Sequence, residues 1–519
     1  MTEFPIPGLT RHFVTLGLRQ VQYRRAGKGP PLVMLHRLPR SSKDLVPAML
    51  LHAHRFTVIA PDLAGYGNSS LLATLAPTIP DYAADVGAFI EALGIKRCVV
   101  YGEGQGALVA LSLASQRADL IVAVSTRDVP TPATGAAVDD ALIPFVPTWD
   151  GRHLAWLWAC LREENVFAPP WEKSLAHRID AAMPSPAELQ SRAVQLLTGA
   201  GHGRNYHLGL RAALAYQAHA VAVPSVDLAT YTSDLPSPPA PPPVKPIPGA
   251  LWSDFVTLPS GQLHFHMNGD ARTVPLLVQH DAASSVGTVE PITRSFLGKR
   301  TVMAFDLPGS GESDRMFGDT VDVMAYADVL GAALDKLGLS QIDFYGMWGG
   351  GFVGLDLATA RPDLVRRLVM SNLFQHEGAE QRAFQTHYTP DVSPVWHGGH
   401  LLQCWHQMRD QGIYYPWFAS NPSGIIRREP YLDTDMVHER VCSLMKVGNG
   451  YRTAYQAHFR YPTHARLKAS PVPTLVATTV RDPNYSTTQE AAKAAPNAEL
   501  RLFDAAFTKW GEGFLDFLA

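Results

Sequence analysis

Ile342-Asp-Phe-Tyr-Gly-Met-Trp-Gly-Gly-Gly-Phe-Val-Gly-Leu-Asp-Leu-Ala358 decides the fold. It opens as a short β-branched and aromatic run of the kind that forms a strand buried on both faces. It then turns through glycines and continues as an apolar helix. Cys98-Val-Val-Tyr-Gly-Glu-Gly-Gln-Gly-Ala-Leu-Val-Ala-Leu-Ser-Leu-Ala114 repeats the pattern. Val58–Ala60 and Thr301–Phe305 read as further buried parallel strands. Strand, tight glycine turn and helix in succession predict an α/β fold, a parallel sheet wound by right-handed crossovers.

The two stretches belong to a longer repeat. Phe13–Leu16 matches Phe255–Leu258, Leu32–His36 matches Leu276–His280, and Asp62-Leu-Ala-Gly-Tyr-Gly-Asn-Ser69 matches Asp306-Leu-Pro-Gly-Ser-Gly-Glu-Ser313. From His36 to Gly106 the offset stays at 244. His153, Trp158 and Arg162 recur as His400, Trp405 and Arg409, and Ala215-Tyr-Gln-Ala-His219 recurs as Ala454-Tyr-Gln-Ala-His458. Between the copies, residues 235–248 hold eight prolines in fourteen positions. Proline fixes φ and lacks an N–H, so this stretch predicts an extended, semi-rigid spacer. The expected organisation is a first domain at 1–234, a linker at 235–248 and a second domain at 249–519. After His458 the second copy continues for 61 residues, with strand candidates at Thr474–Val480 and Glu499–Phe503. The first reaches the linker within 16 residues of His219 and lacks room for those two strands.

A chain of 519 residues exceeds one compact core, in keeping with two domains. Lys and Arg number 44 against 47 Asp and Glu, too balanced for a nucleic-acid footprint. No apolar run is long enough for a membrane span, and the first residues carry no export signal, so a soluble cytoplasmic protein is expected. The four cysteines are scattered and form no CxxC pair, and no histidine spacing stands in a coherent metal-binding setting, so neither metal nor cofactor is expected. The anticipated partner is a small-molecule substrate.

With these motifs in this order, both copies resemble α/β-hydrolases. The histidine turn after a strand, the Asp-Leu-x-Gly-x-Gly-x-Ser turn and the glycine-flanked elbow follow the family's sequence of features. Arg361-Pro-Asp-Leu-Val-Arg-Arg-Leu-Val-Met-Ser371 is similar to the segment after the elbow in the epoxide-hydrolase and haloalkane-dehalogenase branch. The resemblance implies two such domains in tandem, each with a helical cap (about 130–220 and 375–465), the first lacking the last two strands. Its exposed sheet edge would need a cover. The second copy or a second subunit is the expected cover, and a homodimer would supply the latter.

The resemblance also implies a nucleophile at the elbow and a histidine after the last strand. Here the elbow positions fall on Gly104 and Trp348, neither of which can attack a carbonyl, and the final histidine is His464. Gly104 is either a widened pocket floor or a decayed site. Trp348 either stacks on a planar or cationic substrate, or plugs the pocket. Of the triad, Asp482 alone matches the family's acid. Acyl-enzyme hydrolysis is therefore not expected. Backbone donors at Gly349 and the Asp281-Ala282 turn would favour elimination, isomerisation, cyclisation or decarboxylation of a small organic, natural-product-like substrate. Asp482, His280 and His376 are the candidate acid–base groups, although Asp482 also reads as a helix cap and the histidines as loop residues. Trp348, Gly349, Asp281 and Trp405 are the candidate substrate contacts, and Gly104, Gln105 and His36 line the equivalent first-copy pocket. Trp158 with Arg162, and Trp405 with Arg409, share helix faces, which suits either ligand contact or packing. A catalytically inactive binding or scaffold protein, and a hydrolase with displaced groups, are the alternatives.

Overall fold

The computed structural model describes residues 4–133, 142, 145–199, 203–204, 206–268, 274–427, 429–430, 432–503 and 507–519. Parts of the expected first cap thus lie outside the described residues. The chain forms two compact units. The first comprises Ile6–Thr148 and Arg152–Ile247; the second comprises Pro248–Ala519 with the short pieces Met1–Pro5 and Trp149–Gly151.

In the first unit, β1 (Leu9–Leu16), β2 (Arg19–Ala26), β3 (Pro31–Leu35), β4 (Thr57–Pro61), β5 (Cys98–Glu103) and β6 (Ile121–Arg127) form one sheet in the order β1-β2-β4-β3-β5-β6. The second holds β7 (Leu251–Leu258), β8 (Gly261–Asn268), β9 (Leu276–Gln279), β10 (Val302–Phe305), β11 (Ile342–Met347), β12 (Val365–Ser371), β13 (Thr474–Thr478) and β14 (Ala498–Leu502). Their order is β14-β13-β12-β11-β9-β10-β8-β7. It is the same sheet with two parallel strands added beyond β12, so the expected truncation of the first copy is present. β3, β4, β9, β10 and β11 are buried along their whole length, which is why they read as unbroken apolar runs. Even an irregularity is duplicated: register shifts between Cys98 and Val99 in β5, and between Ile342 and Asp343 in β11.

Helices Arg152–Glu163, Pro186–Leu197 and Tyr206–Leu214 follow β6. Between β12 and β13 lie Gly378–His387, Gly399–Asp410, Thr434–Val447, Gly450–Phe459 and Thr463–Ala469. Both insertions fall where caps were expected. His153 and His400 play one part in both: Nδ1 accepts the backbone N–H five residues earlier, from Thr148 at 3.0 Å and Val395 at 3.3 Å.

The open edge of the first sheet has a cover other than the one expected. Val124 in β6 accepts from Val226 N–H at 2.9 Å and donates to Pro224 O at 3.0 Å, so residues 224–226 pair alongside it as a parallel bridge. Arg55 then holds the carbonyls of Leu228, Ala229 and Tyr231. The proline-rich stretch is docked as well: Arg25 donates to Pro239 O at 2.7 Å and Thr15 to Lys245 O at 2.6 Å. Residues 224–247 therefore form a strap that touches β6 at one edge of the sheet and β1 at the other.

Candidate functional site

Both elbows adopt the same strained turn. Gly104 follows β5 with φ 57° and ψ −127°, and Trp348 follows β11 with φ 47° and ψ −123°. Glycine takes that conformation freely, whereas a tryptophan pays of order 1–3 kcal/mol. The helices Gln105–Gln116 and Gly349–Ala360 start immediately afterwards and press on the preceding strands. A Cβ on Gly106 would sit 2.5 Å from the Leu35 and His36 carbonyl oxygens, and one on Gly350 equally close to that of His280. The half-buried Trp348 side chain rests against the apolar core around Val278, Met347 and Trp510.

The turns facing the elbows are rigid in both copies. His36 Nδ1 contacts Arg37 O at 3.0 Å and its Nε2 accepts Leu63 N–H at 2.9 Å. His280 Nδ1 contacts Asp281 O at 2.7 Å and its Nε2 accepts Leu307 N–H at 3.1 Å. Each ring is a neutral brace with both nitrogens engaged, and burial pushes the pKa of each down. His280, expected as a candidate base, thus has both ring nitrogens engaged. Asp62 and Asp306 complete the brace. Asp62 accepts from Ser42 N–H at 2.8 Å and Asp306 from Val286 N–H at 2.7 Å. Gly67 and Gly311, at φ 52° and 50°, leave room for these carboxylates, 2.1 Å from where a Cβ would lie.

At each elbow a side-chain oxygen of the chain itself occupies a backbone donor of the oxyanion-hole position. In the first copy Gln105 Oε1 accepts Leu38 N–H at 3.1 Å. Arg37 crosses Gly104 and pairs with Glu103 at 3.1 Å and Asp128 at 2.9 Å. In the second copy Asp281 Oδ1 accepts Gly349 N–H at 3.0 Å. The expected free donor at Gly349 is thus engaged. The residue that joins Asp281 there is His458, whose Nδ1 lies 3.2 Å from Asp281 Oδ1. A Cβ on Gly349 would fall 2.0 Å from that nitrogen, so only glycine fits. His458 is 2% exposed, and neither ring nitrogen has a hydrogen-bond partner among the described residues.

The remaining expected residues gather elsewhere. Tyr415 O–H donates to Asn484 Oδ1 at 2.9 Å and lies 3.4 Å from His376 Nε2. Asp482 Oδ1 accepts Asn484 N–H at 2.8 Å, an Asx turn before the helix Tyr485–Ala494, whose N-cap is Asn484. His376 and Asp482 therefore meet through Tyr415 and Asn484. The His376 ring stacks on Phe384 with centroids 3.8 Å apart, and burial lowers its pKa against the opposing pull of Glu380. Trp405 is 1% exposed, with its indole N–H donated to Trp149 O at 3.1 Å and Gly151 against its ring. Its indole is thus packed within the second unit. Arg409 pairs with Asp410 at 3.1 Å. Trp158 is 2% exposed on the helix that also carries Arg162.

The model of the alpha/beta hydrolase fold family matches residues 30–157 and 280–390, once in each copy and across both elbows. Both copies have the α/β-hydrolase fold, and the matched segments make up just under half of the chain. Haloalkane dehalogenase 2 of Mycobacterium tuberculosis is 30% identical over 105 residues, which are 20% of this chain and 36% of that protein. The soluble epoxide hydrolase of Corynebacterium sp. is 35% identical over 116 residues, 22% of this chain and 39% of that protein. The chain thus spans well under half the length of these relatives. Among solved structures, the enol-lactonase of Burkholderia xenovorans is 18% identical with a TM-score of 0.39, covering 51% of this chain and 99% of that one.

The placement of His458 beside the elbow was the feature least visible in the sequence. Its repeat mate, His219, lies beyond the end of the helix Tyr206–Leu214 and is exposed, whereas His458 sits within the helix Gly450–Phe459 and is buried at the elbow. The signal that could have found it is the glycine after Trp348, in the place where the first copy has Gln105. Among the described residues no group of three or more His, Cys, Asp or Glu is placed to hold a metal ion, and no helix is long and apolar enough to cross a membrane.

Proposed function

We propose that the second copy is an α/β-hydrolase-fold enzyme that works without a covalent intermediate. It carries out acid–base chemistry on a small organic substrate, of the elimination, isomerisation, cyclisation or decarboxylation type. The observation that carries this reading is the elbow itself. Trp348 holds the nucleophile's strained conformation with no attacking atom, and the adjacent Gly349 N–H is held by a carboxylate. An acyl transfer needs both a nucleophile and a free oxyanion donor. A proton transfer needs neither of them at that place. The aromatic surroundings of His376, with Phe384, Tyr388, Tyr415 and Phe459 ringed together, suit a planar substrate.

A specific observation favours the second reading, a catalytically inactive binding protein: both copies fill an oxyanion-hole donor with their own side chain, Gln105 in one and Asp281 in the other. Hydrogen–deuterium exchange at carbon separates the two readings. In D2O, the enzyme is expected to speed exchange of the α-hydrogens of phenylacetone or β-tetralone, followed by proton NMR. Rates equal to those of buffer with both compounds would favour the binding-protein reading.

A further inference from the structure

We propose that His458 is the general base of the second copy and that Asp281 is the residue that positions it. This assignment rests on the acid–base reading above. Three observations on different elements converge on it. Asp281, from the turn after β9, is fixed by the N–H of Gly349 at the first turn of the elbow helix. That end of a helix favours a negative charge, which suits a carboxylate at this place. His458, from the helix Gly450–Phe459, brings Nδ1 to 3.2 Å from the same carboxylate oxygen. Both ring nitrogens are buried without a hydrogen bond among the described residues, Nδ1 having the Asp281 carboxylate as a close contact.

A buried polar atom left unpaired is costly, and native structures keep few of them. Here the vacancy has a chemical direction. In the tautomer with its proton on Nδ1, the nitrogen nearer Asp281, Nε2 carries the free lone pair. Glycine at 349 is required for the ring to lie there. The Asp281 side chain is 15% exposed against 1% for His458. The rings of Phe352, edge-on at 6.0 Å, and Tyr455, at 6.3 Å, flank the imidazole. The charged and titratable groups acting on the pair are His280 on His458, and Tyr388, Arg440 and Tyr455 on Asp281.

The substrate class that fits is a carbon acid, a carbonyl compound with a hydrogen on the adjacent carbon. The C–H bond breaks as the Nε2–H bond forms, and the electron pair moves into the carbonyl as an enolate. The imidazolium is balanced by Asp281. Exchange is completed when the Nε2 proton swaps with solvent and a solvent-derived hydron returns to the carbon; with a carbon–carbon double bond next to the acidic carbon, return at the far end of the dienolate is isomerisation.

The test is the phenylacetone exchange rate of the full chain in D2O. His458→Ala is expected to lose about 10²-fold or more. His458→Gln, which keeps the volume, should lose as much and covers the case where the alanine variant fails to fold. His219→Ala, at the exposed first-copy counterpart, should exchange as wild type. Asp281→Asn should slow exchange and move the acid limb of the pH–rate profile to lower pH, because the imidazolium loses its counter-charge. That shift separates a positioning role from a merely structural one. Exchange that survives in folded His458→Gln overturns the assignment and leaves the acid–base reading standing. A wild-type rate equal to buffer overturns both.

Discussion

Single residues set the chemistry of this chain, and glycines mark where. Gly349→Ala places a methyl group 2.0 Å from His458 Nδ1 and 2.4 Å from Asp281 Oδ1. Something must move, and overpacking of this kind costs about 1–3 kcal/mol. A lower urea midpoint with an unchanged slope is the expected result. Buried histidines carry a second prediction. Burial, with His397 nearby, lowers the His400 pKa from 6.5 to about 4. The unfolded chain then takes up this proton first as pH drops. The stability contributed is full above about pH 6.5 and lost progressively towards pH 4. In His400→Gln, urea titrations should show a shallower loss across that window than wild type. The sequence made the elbows legible, because strand, glycine turn and helix are local signals. It hid the Asp281–His458 pair, whose members are far apart in the chain. It also suggested His280 as a base, since nothing local reveals that Leu307 N–H takes its second nitrogen.

At the scale of elements, the strap of residues 224–247 stands where the first copy has no further strands. Its hold on the unit depends on Arg55, which donates to the carbonyls of Leu228, Ala229 and Tyr231. Arg55→Ala removes charge-assisted hydrogen bonds worth of order 1.5–3 kcal/mol each to the groups they satisfy, less what water returns. Limited proteolysis followed by peptide mapping is expected to show faster cleavage within 224–234 in this variant, with the second copy cut as in wild type. Buried strands were readable because parallel strands carry unbroken apolar runs, as in Thr474–Thr478. The strap was not, because proline-rich chain lacks a period and pairs through a few backbone groups. One pentapeptide shows context at work: Ala454–His458 is helical while Ala215–His219 is not.

Over the whole molecule, one architecture occurs twice and has diverged in what surrounds each elbow. At the first elbow Arg37 and Gln105 are engaged, and among the described residues the repeat mate of His458, His219, is exposed; the second keeps a carboxylate and an imidazole together. The duplication, the truncation and the fold were legible from motif order alone, since each copy repeats its braces as well as its elbow. The central claim is that neither elbow can form a covalent bond to a substrate carbonyl or to phosphorus. The most direct measurement is intact-protein mass spectrometry after incubation with excess fluorophosphonate and, separately, with p-nitrophenyl acetate, followed by peptide mapping. The account predicts an unmodified mass at both elbows. A phosphonyl or acetyl adduct mapped to residues 98–106 or 342–351 would contradict it.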